Sequence, residues 1–211
     1  MALRAKVWSN APVMASSAYA VALTRHPDTP CRAVRSIEAQ VSWTQSETLD
    51  VVYILKADLV CLRLPPPQQT RRADRLWEHT CFEAFIAGKN KQEYYEFNFA
   101  SSGEWAVYAF RSYREGVPLE DEQLDPGVTV RKRGNRLELD VGVCLGRLPK
   151  LDMQSRLRVG LSAVIEDNGG RFSYWALKHP PGKPDFHHAD NFALEIETGL
   201  QTVNESVIDK R

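Results

Sequence analysis

Apolar and polar residues alternate along most of this chain with the two-residue period of a β-strand, which places successive side chains on opposite faces of a sheet. The central block repeats this pattern over residues 81–86, 94–99 and 105–110. Turn-forming residues at 101–103 separate the last two segments. The three segments are rich in aromatic and β-branched residues, which favour strands. We therefore predict an antiparallel three-stranded meander.

The same alternation and turn signals predict further strands on both sides of the meander. Gly134 and Asn135 mark a tight hairpin between two of these strands. The predicted strands are 36–43, 49–56, 128–133, 136–141, 157–165, 172–177 and 192–196. The prolines at 65–67 cannot donate ladder hydrogen bonds and predict an extended connection. One short helix is expected at most, over 148–156, so the fold class is all-β.

Three polar residues interrupt the aromatic strands of the predicted meander. Alternation puts Glu83 opposite the apolar face of its strand, and it does the same for Glu96 and Asn98 on the next strand. Adjacent strands could bring the three side chains onto one face. Burying unpaired carboxylates either costs roughly several kcal/mol or shifts their pKa values. These residues therefore either face solvent or serve a ligand.

Composition indicates one domain over residues 1–211, a size that all-β domains of about 200 residues reach. Lys plus Arg total 27 and Asp plus Glu total 27, so the formal net charge is zero. No global field would attract nucleic acid or an anionic membrane. We expect neither as a partner.

Several motifs together resemble a known superfamily. They are WEHTCFEAFI, YYEFNFASSGEWAVYAF and SYREG in the central block, with HPDTP, LRLPPP and WALKHPPGKPDFHHADNFAL around it. They resemble the DOMON-like superfamily, close to family 9 carbohydrate-binding modules, from about residue 19 to 197. The detailed motifs are more similar to an uncharacterised bacterial branch than to the sugar-binding modules. The resemblance implies an antiparallel two-sheet β-sandwich of jelly-roll type.

The resemblance also implies a sugar site. Family 9 modules clamp a terminal sugar between two tryptophans, and Trp77 and Trp175 are the corresponding candidates here. Sugars need flat aromatic walls for their C–H surfaces and polar groups for their hydroxyls. The candidate ligand-binding set is therefore Trp77, His79, Glu83, Glu96, Asn98, Arg111 and Trp175. The alternatives are core packing for the tryptophans and surface pairing for Arg111.

A second group of polar residues lies near the C-terminus. His179, His187 and Asp190 have side chains that could hold a metal ion, but no HExxH or similar fixed spacing accompanies them. We therefore expect no metal. Some DOMON relatives bind haem through Met and His, but none of the three methionines here lies in a convincing strand. No cofactor is expected.

The residue types favour a non-catalytic protein that binds a carbohydrate or another small polar ligand. No nucleophile elbow, phosphate loop or dinucleotide fingerprint is present in the sequence. The alternative is a carbohydrate-active enzyme of the glycoside hydrolase type, with Glu83 and Glu96 as its carboxylate pair. A protein-interaction domain is a further alternative.

The compartment is predicted to be cytoplasmic. The four cysteines form no CxxC pairs and are too sparse for a disulfide framework, so we predict buried free thiols at Cys61, Cys81 and Cys144. Residues 11–23 imitate a secretory signal, but proline and serine residues interrupt them. Cleavage after Ala20 would cut into the expected first strand.

Overall fold

Strands dominate the structure, a computed structural model that describes residues 18–44, 47–121, 124–152 and 156–198. The described residues form the following strands: β1 (Ala18–Arg25), β2 (Val34–Trp43), β3 (Thr48–Ala57), β4 (Arg71–Arg72), β5 (Cys81–Gly88), β6 (Tyr94–Ala100), β7 (Glu104–Ser112), β8 (Glu115–Pro118), β9 (Thr129–Arg133), β10 (Arg136–Cys144), β11 (Leu157–Glu166), β12 (Phe172–Ala176) and β13 (Leu194–Ile196). Short 3₁₀ turns are the helical elements in this part of the chain. The all-β class is confirmed.

Hydrogen bonds join the strands into one continuous sheet. Its order is β4-β7-β6-β5-β11-β12-β1-β2-β3-β10-β9, with β13 paired to β11 and β8 paired to β7. Between the named strands, β4 and β7 are parallel and the other pairs are antiparallel. Two residue pairs, at Thr24 and Arg25 of β1, connect the halves of the sheet through β12.

The sheet curls so that its two halves face each other across a shared core. Apolar side chains of β2, β3 and β10 join one buried cluster with those of β5, β6, β7 and β11. Tyr53 of β3 contacts Phe82 of β5 at a ring-centroid distance of 5.2 Å. The Tyr53 hydroxyl donates a hydrogen bond of 2.7 Å to the backbone carbonyl of Glu83. The structure thus shows one curled sheet where the resemblance implied two separate sheets.

The predicted local strand pairings are confirmed. The last strand and the predicted helix differ from the structure. β5, β6 and β7 form the predicted meander, and the predicted hairpins are β2–β3 and β9–β10. The last strand is shorter than predicted, because a 3₁₀ turn at Ala189–Asn191 precedes β13. The helix predicted over 148–156 is not formed at residues 148–152 or 156, and residues 153–155 lie outside the described residues.

Both faces of the central strands are covered. Each residue of β5 and β6 is buried. The inner face packs in the shared core, and the outer face packs under the segment 178–193, which we call the covering loop. Phe192 of this loop contacts the rings of Phe85 and Tyr94 at 6.0 and 5.5 Å. A sheet face that alternation alone would leave exposed to water is therefore covered.

Histidine-to-carbonyl contacts and one close backbone approach help to attach the covering loop to the sheet. Nε2 of His179 lies 2.8 Å from the carbonyl oxygen of Thr24, and Nε2 of His26 lies 2.9 Å from that of Gly182. At Gly160 of β11, a side chain would collide with the loop, because an added Cβ would lie 2.9 Å from Nδ2 of Asn191. The absence of a side chain at this position lets the loop pack closely on the strand.

The cysteines are free, as predicted, but the predicted burial is wrong for two of them. Cys31 and Cys81 are buried, whereas Cys61 and Cys144 are exposed. Cys61 is the last residue of the 3₁₀ turn Leu59–Cys61, and Cys144 ends β10 just before the turn Leu145–Arg147. The cytoplasmic location stays a prediction. The described residues include no helix with the length and apolar composition that a bilayer span needs.

Candidate functional site

A cavity of about 420 Å³ lies between the outer face of the meander and the covering loop. Its size is within the range of roughly 300–1,000 Å³ that is typical of small-molecule sites. Its walls combine aromatic rings with ionisable groups. The lining residues are Trp77, Glu83, Glu96, Tyr108, Phe110, Arg114, Val164, Tyr174, Pro184, Phe186 and His187.

Strand register brings the predicted polar residues together at the floor of this cavity. Glu83 of β5 lies directly opposite Asn98 of β6 and opposite Ser162 of β11. Glu96 occupies the next outward position on β6 and is paired with Tyr108 of β7. The expectation that Glu83, Glu96 and Asn98 share one face is confirmed. The alternative that this face is solvated is wrong, because all three side chains are buried.

Hydrogen bonds fix the orientation of Asn98 and of the two carboxyl groups. Nδ2 of Asn98 donates to Oε1 of Glu96 at 2.7 Å, and the Cys81 thiol donates to Oδ1 of Asn98 at 3.4 Å. The Ser162 hydroxyl donates to Oε2 of Glu83 at 3.3 Å. Asn98 thus holds Glu96 in place from beneath. The Glu83 carboxyl has one weak hydrogen-bond donor among the described side chains.

The environment holds both carboxyl groups toward their neutral forms. Burial and the nearby Glu96 carboxyl raise the pKa of Glu83 well above its ordinary value, and the Ser162 hydrogen bond opposes this only in part. Burial raises the pKa of Glu96 from 4.5 to about 7, against the Asn98 hydrogen bond and the charge of Arg114. At neutral pH the floor therefore carries at least one exchangeable proton.

A histidine of the covering loop completes the polar part of the site. Burial and the charge of Arg114 lower the pKa of His187 to about 4, so its ring is neutral at pH 7. The backbone N–H of Arg114 donates to the Tyr94 hydroxyl, which lies 2.9 Å from Nδ1 of His187. Donation from Tyr94 to Nδ1 leaves the ring proton on Nε2, 3.6 Å from the Glu96 carboxylate. That contact is not an ion pair, because His187 is uncharged.

The one basic residue among the lining residues is already paired. The guanidinium of Arg114 donates to Oδ1 of Asp185 at 2.8 Å, and the Tyr113 hydroxyl donates to Oδ2 of the same carboxylate at 2.6 Å. These hydrogen bonds help to lower the pKa of Asp185, which stays ionised. The pair joins the end of β7 to the covering loop and is electrically neutral as a unit.

Aromatic rings form the walls of the cavity. Trp77 and Tyr108 meet edge to face at a centroid distance of 5.3 Å, and Trp77 is 40% exposed. Phe110 stacks on Tyr94 at 4.6 Å. Tyr174 of β12 and Phe186 of the covering loop lie 5.9 Å apart. The site therefore has flat apolar walls above a polar floor.

Four residues of the predicted ligand-binding set do not line the cavity. Asn98 is fully buried beneath the floor, and the other three lie elsewhere. Trp175 is 6% exposed and belongs to the shared core, because its register partner is Ala163 and its neighbour Tyr174 takes the outward position. His79 lies outside the lining, with Nδ1 2.7 Å from Glu166. Arg111 projects into solvent and pairs with Glu115, as the surface alternative stated.

The three metal candidates do not come together. His179 binds a backbone carbonyl, His187 lines the cavity, and Asp190 pairs with Lys178 at 3.3 Å. Within the described residues, no three His, Cys, Asp or Glu side chains are grouped so that they could hold a metal ion. The methionines considered for haem, at 1, 14 and 153, lie outside the described residues.

Sequence reasoning overlooked several lining residues, and a signal existed for some of them. Tyr108 and Phe110 alternate in phase with the outward side of β7, and Tyr174 alternates with Trp175. Strand period therefore could have identified Tyr108 and Phe110, whereas for Tyr174 it shows only that this residue and Trp175 lie on opposite faces. Phe186 and His187 lie in an irregular loop with no period, so their place in the site depends on tertiary contacts alone.

Comparisons with known proteins give a structural likeness and no sequence relative. No protein-family model and no curated protein matches the chain. A candidate carbohydrate-binding protein from Bacteroides uniformis ATCC 8492 is similar in structure, with a TM-score of 0.60 at 13% identity over 83% of this chain and 84% of that chain. At this identity the likeness shows a shared fold.

Two structures of a family 9 carbohydrate-binding module from Caldicellulosiruptor kristjanssonii match at lower scores. The complex with glucose has a TM-score of 0.43 at 10% identity over 72% of this chain and 71% of that chain. The complex with cellotriose has a TM-score of 0.47 at 10% identity over 87% and 89%. Scores at this level add nothing to the fold assignment.

The raised pKa of Glu96 predicts a specific pH dependence of stability. Between pH 4.5 and about 7 the folded state keeps a proton that the unfolded chain has released, so this group's contribution to stability falls as pH rises. The side chain introduced by Glu96→Gln cannot ionise. The free energy of unfolding of this variant minus that of the parent should therefore rise by about 2 kcal/mol as pH increases across this window. Urea denaturation at a series of pH values measures it.

Glu104→Gln is the matched control for this experiment. Glu104 is also buried, but it pairs with Arg71 at 2.6 Å outside the cavity. Its replacement removes an ion pair outside the cavity and should lower the free energy of unfolding. If the difference in free energy of unfolding between Glu96→Gln and the parent stays constant with pH, the assignment of the proton to the Glu96 carboxyl is contradicted.

Proposed function

We propose that the protein is a non-catalytic binding protein for carbohydrates or closely similar small polar ligands, and that the cavity under the covering loop is the binding site. The observation that carries the proposal is the combination of aromatic walls with a buried polar floor in one cavity. Sugar rings present C–H patches and in-plane hydroxyls, which match these two kinds of surface.

The floor offers both donors and acceptors for hydroxyl groups. Neutral carboxyl groups can donate and accept, and the Nε2–H of His187 points toward the same space as the Glu96 carboxyl. Trp77 stands at the opening with 40% of its surface exposed, so a ligand ring could cover it without rearrangement of the core. The walls and the floor could therefore contact the same sugar ring.

Two further lines support the proposal. The fold is shared with a protein named as a candidate carbohydrate-binding protein. The motifs of the central block resemble those of DOMON-like proteins and family 9 modules, and we propose that the chain is related to them. The two facing halves of the curled sheet would then correspond to the two sheets of a jelly-roll sandwich.

Replacement of Trp77 tests the proposal. A panel of neutral monosaccharides and disaccharides should raise the melting temperature of the parent protein, and Trp77→Ala should weaken binding about tenfold, because a stacking surface is lost. Isothermal titration calorimetry measures the affinity. Leu76→Ala is the matched control, since Leu76 lies in the same 3₁₀ turn and does not line the cavity.

The outcome that would contradict the proposal is the absence of any stabilisation across the panel. Equal weakening by Leu76→Ala and Trp77→Ala would also contradict the site, because it would trace the effect to the turn and not to the exposed ring. Trp175→Ala is unsuitable, since its side chain lies in the core.

A carbohydrate-active enzyme is the second candidate, and the two proton-binding carboxyl groups favour it. Glycosidases use one protonated and one ionised carboxyl group on either side of the bond that breaks. Glu83, whose pKa is raised well above its ordinary value, would be the acid, and Glu96, with a pKa of about 7, would be the second carboxyl group.

A panel of chromogenic glycosides distinguishes this candidate from simple binding. An enzyme would release the chromophore with a rate that falls at least a hundredfold in Glu83→Gln, since general acid catalysis is worth about that factor. A binding protein would release none above the buffer rate. Release that persists unchanged in Glu83→Gln would exclude the proposed carboxyl pair.

A further inference from the structure

The buried glutamates of this chain fall into two kinds. Four glutamates are buried among the described residues. Outside the cavity, Glu104 pairs with Arg71 at 2.6 Å, and Glu166 pairs with Arg63 at 2.9 Å. Each of these two carboxylates therefore has a permanent cation beside it, which is the usual condition for burying an acid.

The two glutamates inside the cavity have no such partner. Among the described residues, the Glu83 carboxyl accepts only from a serine hydroxyl, and Glu96 accepts from an amide and lies 3.6 Å from a histidine that stays neutral. Arg114 lines the same space, but Asp185 already neutralises it. The cavity thus holds two potential negative charges and no uncommitted positive charge from the described side chains.

The walls of the same cavity suit a cation. Trp77, Tyr108, Phe110, Tyr174 and Phe186 surround the space with ring surfaces. The faces of aromatic rings attract ammonium groups through their quadrupoles, and this attraction is strongest where water is excluded. An ammonium group that reached the floor would meet carboxyl oxygens there as charge-assisted hydrogen-bond acceptors.

We propose that the cavity selects small ligands that carry a protonated amino group, with Glu83 and Glu96 as its acceptors and the aromatic rings as its walls. This inference rests on the proposed binding function and narrows it to amino sugars and similar ring amines. The ammonium group of the ligand would give the two cavity glutamates a positive partner. Arginines fill this role for Glu104 and Glu166.

Binding of an ammonium group also moves protons. Without a ligand, burial holds both carboxyl groups toward their neutral forms, and the nearby Glu96 carboxyl adds to this at Glu83. A bound ammonium stabilises the ionised carboxylates, so the carboxyl groups ionise and their protons pass to the buffer. A neutral sugar makes no such change in charge and should release no proton.

Calorimetry with matched sugars tests the inference. Glucosamine, galactosamine and mannosamine are each compared with the neutral parent sugar and the N-acetyl derivative near neutral pH. We expect at least one amino sugar to bind about tenfold tighter than both of its relatives. Titration in two buffers of different ionisation enthalpy should show proton release for that amino sugar alone, a readout that needs no variant.

Substitutions of the two cavity glutamates test whether they cause the preference for amino sugars. Glu83→Gln and Glu96→Gln should each bring the ratio of amino sugar to parent sugar affinity toward one. Glu166→Gln is the matched control, because this buried glutamate lies outside the cavity, and it should keep the parental ratio. Cyclohexylamine serves as an amine without hydroxyls.

The outcomes separate the inference from the function on which it rests. If neutral sugars bind as tightly as amino sugars, ammonium selection is overturned and carbohydrate binding stands. If no compound in the panel binds, both are overturned. If cyclohexylamine binds as tightly as the amino sugars, ammonium selection is supported and the carbohydrate function is overturned.

Discussion

Burial of the central strands on both faces is the constraint on which the rest of the structure depends. An antiparallel sheet commonly leaves one face to water, and polar residues on that face then need no explanation. Here the covering loop packs on the outer face, so that every residue of β5 and β6 is buried. Polar residues that alternation placed on that face become the floor of a closed site, and the free energy of their desolvation has to be offset by hydrogen bonds or by a ligand.

Polar contacts connect the covering loop to the rest of the fold. Two histidine-to-carbonyl contacts, at His26 and His179, accompany the close approach at Gly160. The ion pair of Arg114 and Asp185 adds a further connection at the cavity. The same loop supplies Phe186 and His187 to the site, so the packing that buries the floor also builds one wall.

Strand period predicted the faces of the sheet well. The outward placement of Glu83, Glu96 and Asn98 followed from alternation, and antiparallel register then made them neighbours. On β12 the same rule places Tyr174 and Trp175 on opposite faces but does not decide which face enters the shared core. The structure puts Trp175 in the core and Tyr174 outward, whereas the resemblance to family 9 modules had made Trp175 a candidate wall of the site. The pairing of β1 with β12 through two residue pairs, which makes the sheet continuous, and the path of the covering loop depend on contacts between residues far apart in sequence. No local pattern encodes them.

The central claim is that ligands bind under the covering loop, beside Trp77, and not at Trp175. The most direct measurement follows the indole N–H resonances of the five tryptophans by NMR during titration with glucose and with glucosamine. If ligands bind beside Trp77, its resonance should shift with a saturating curve while that of Trp175 stays in place. A shift at Trp175 with Trp77 unchanged, or no shift at either indole, would contradict this claim.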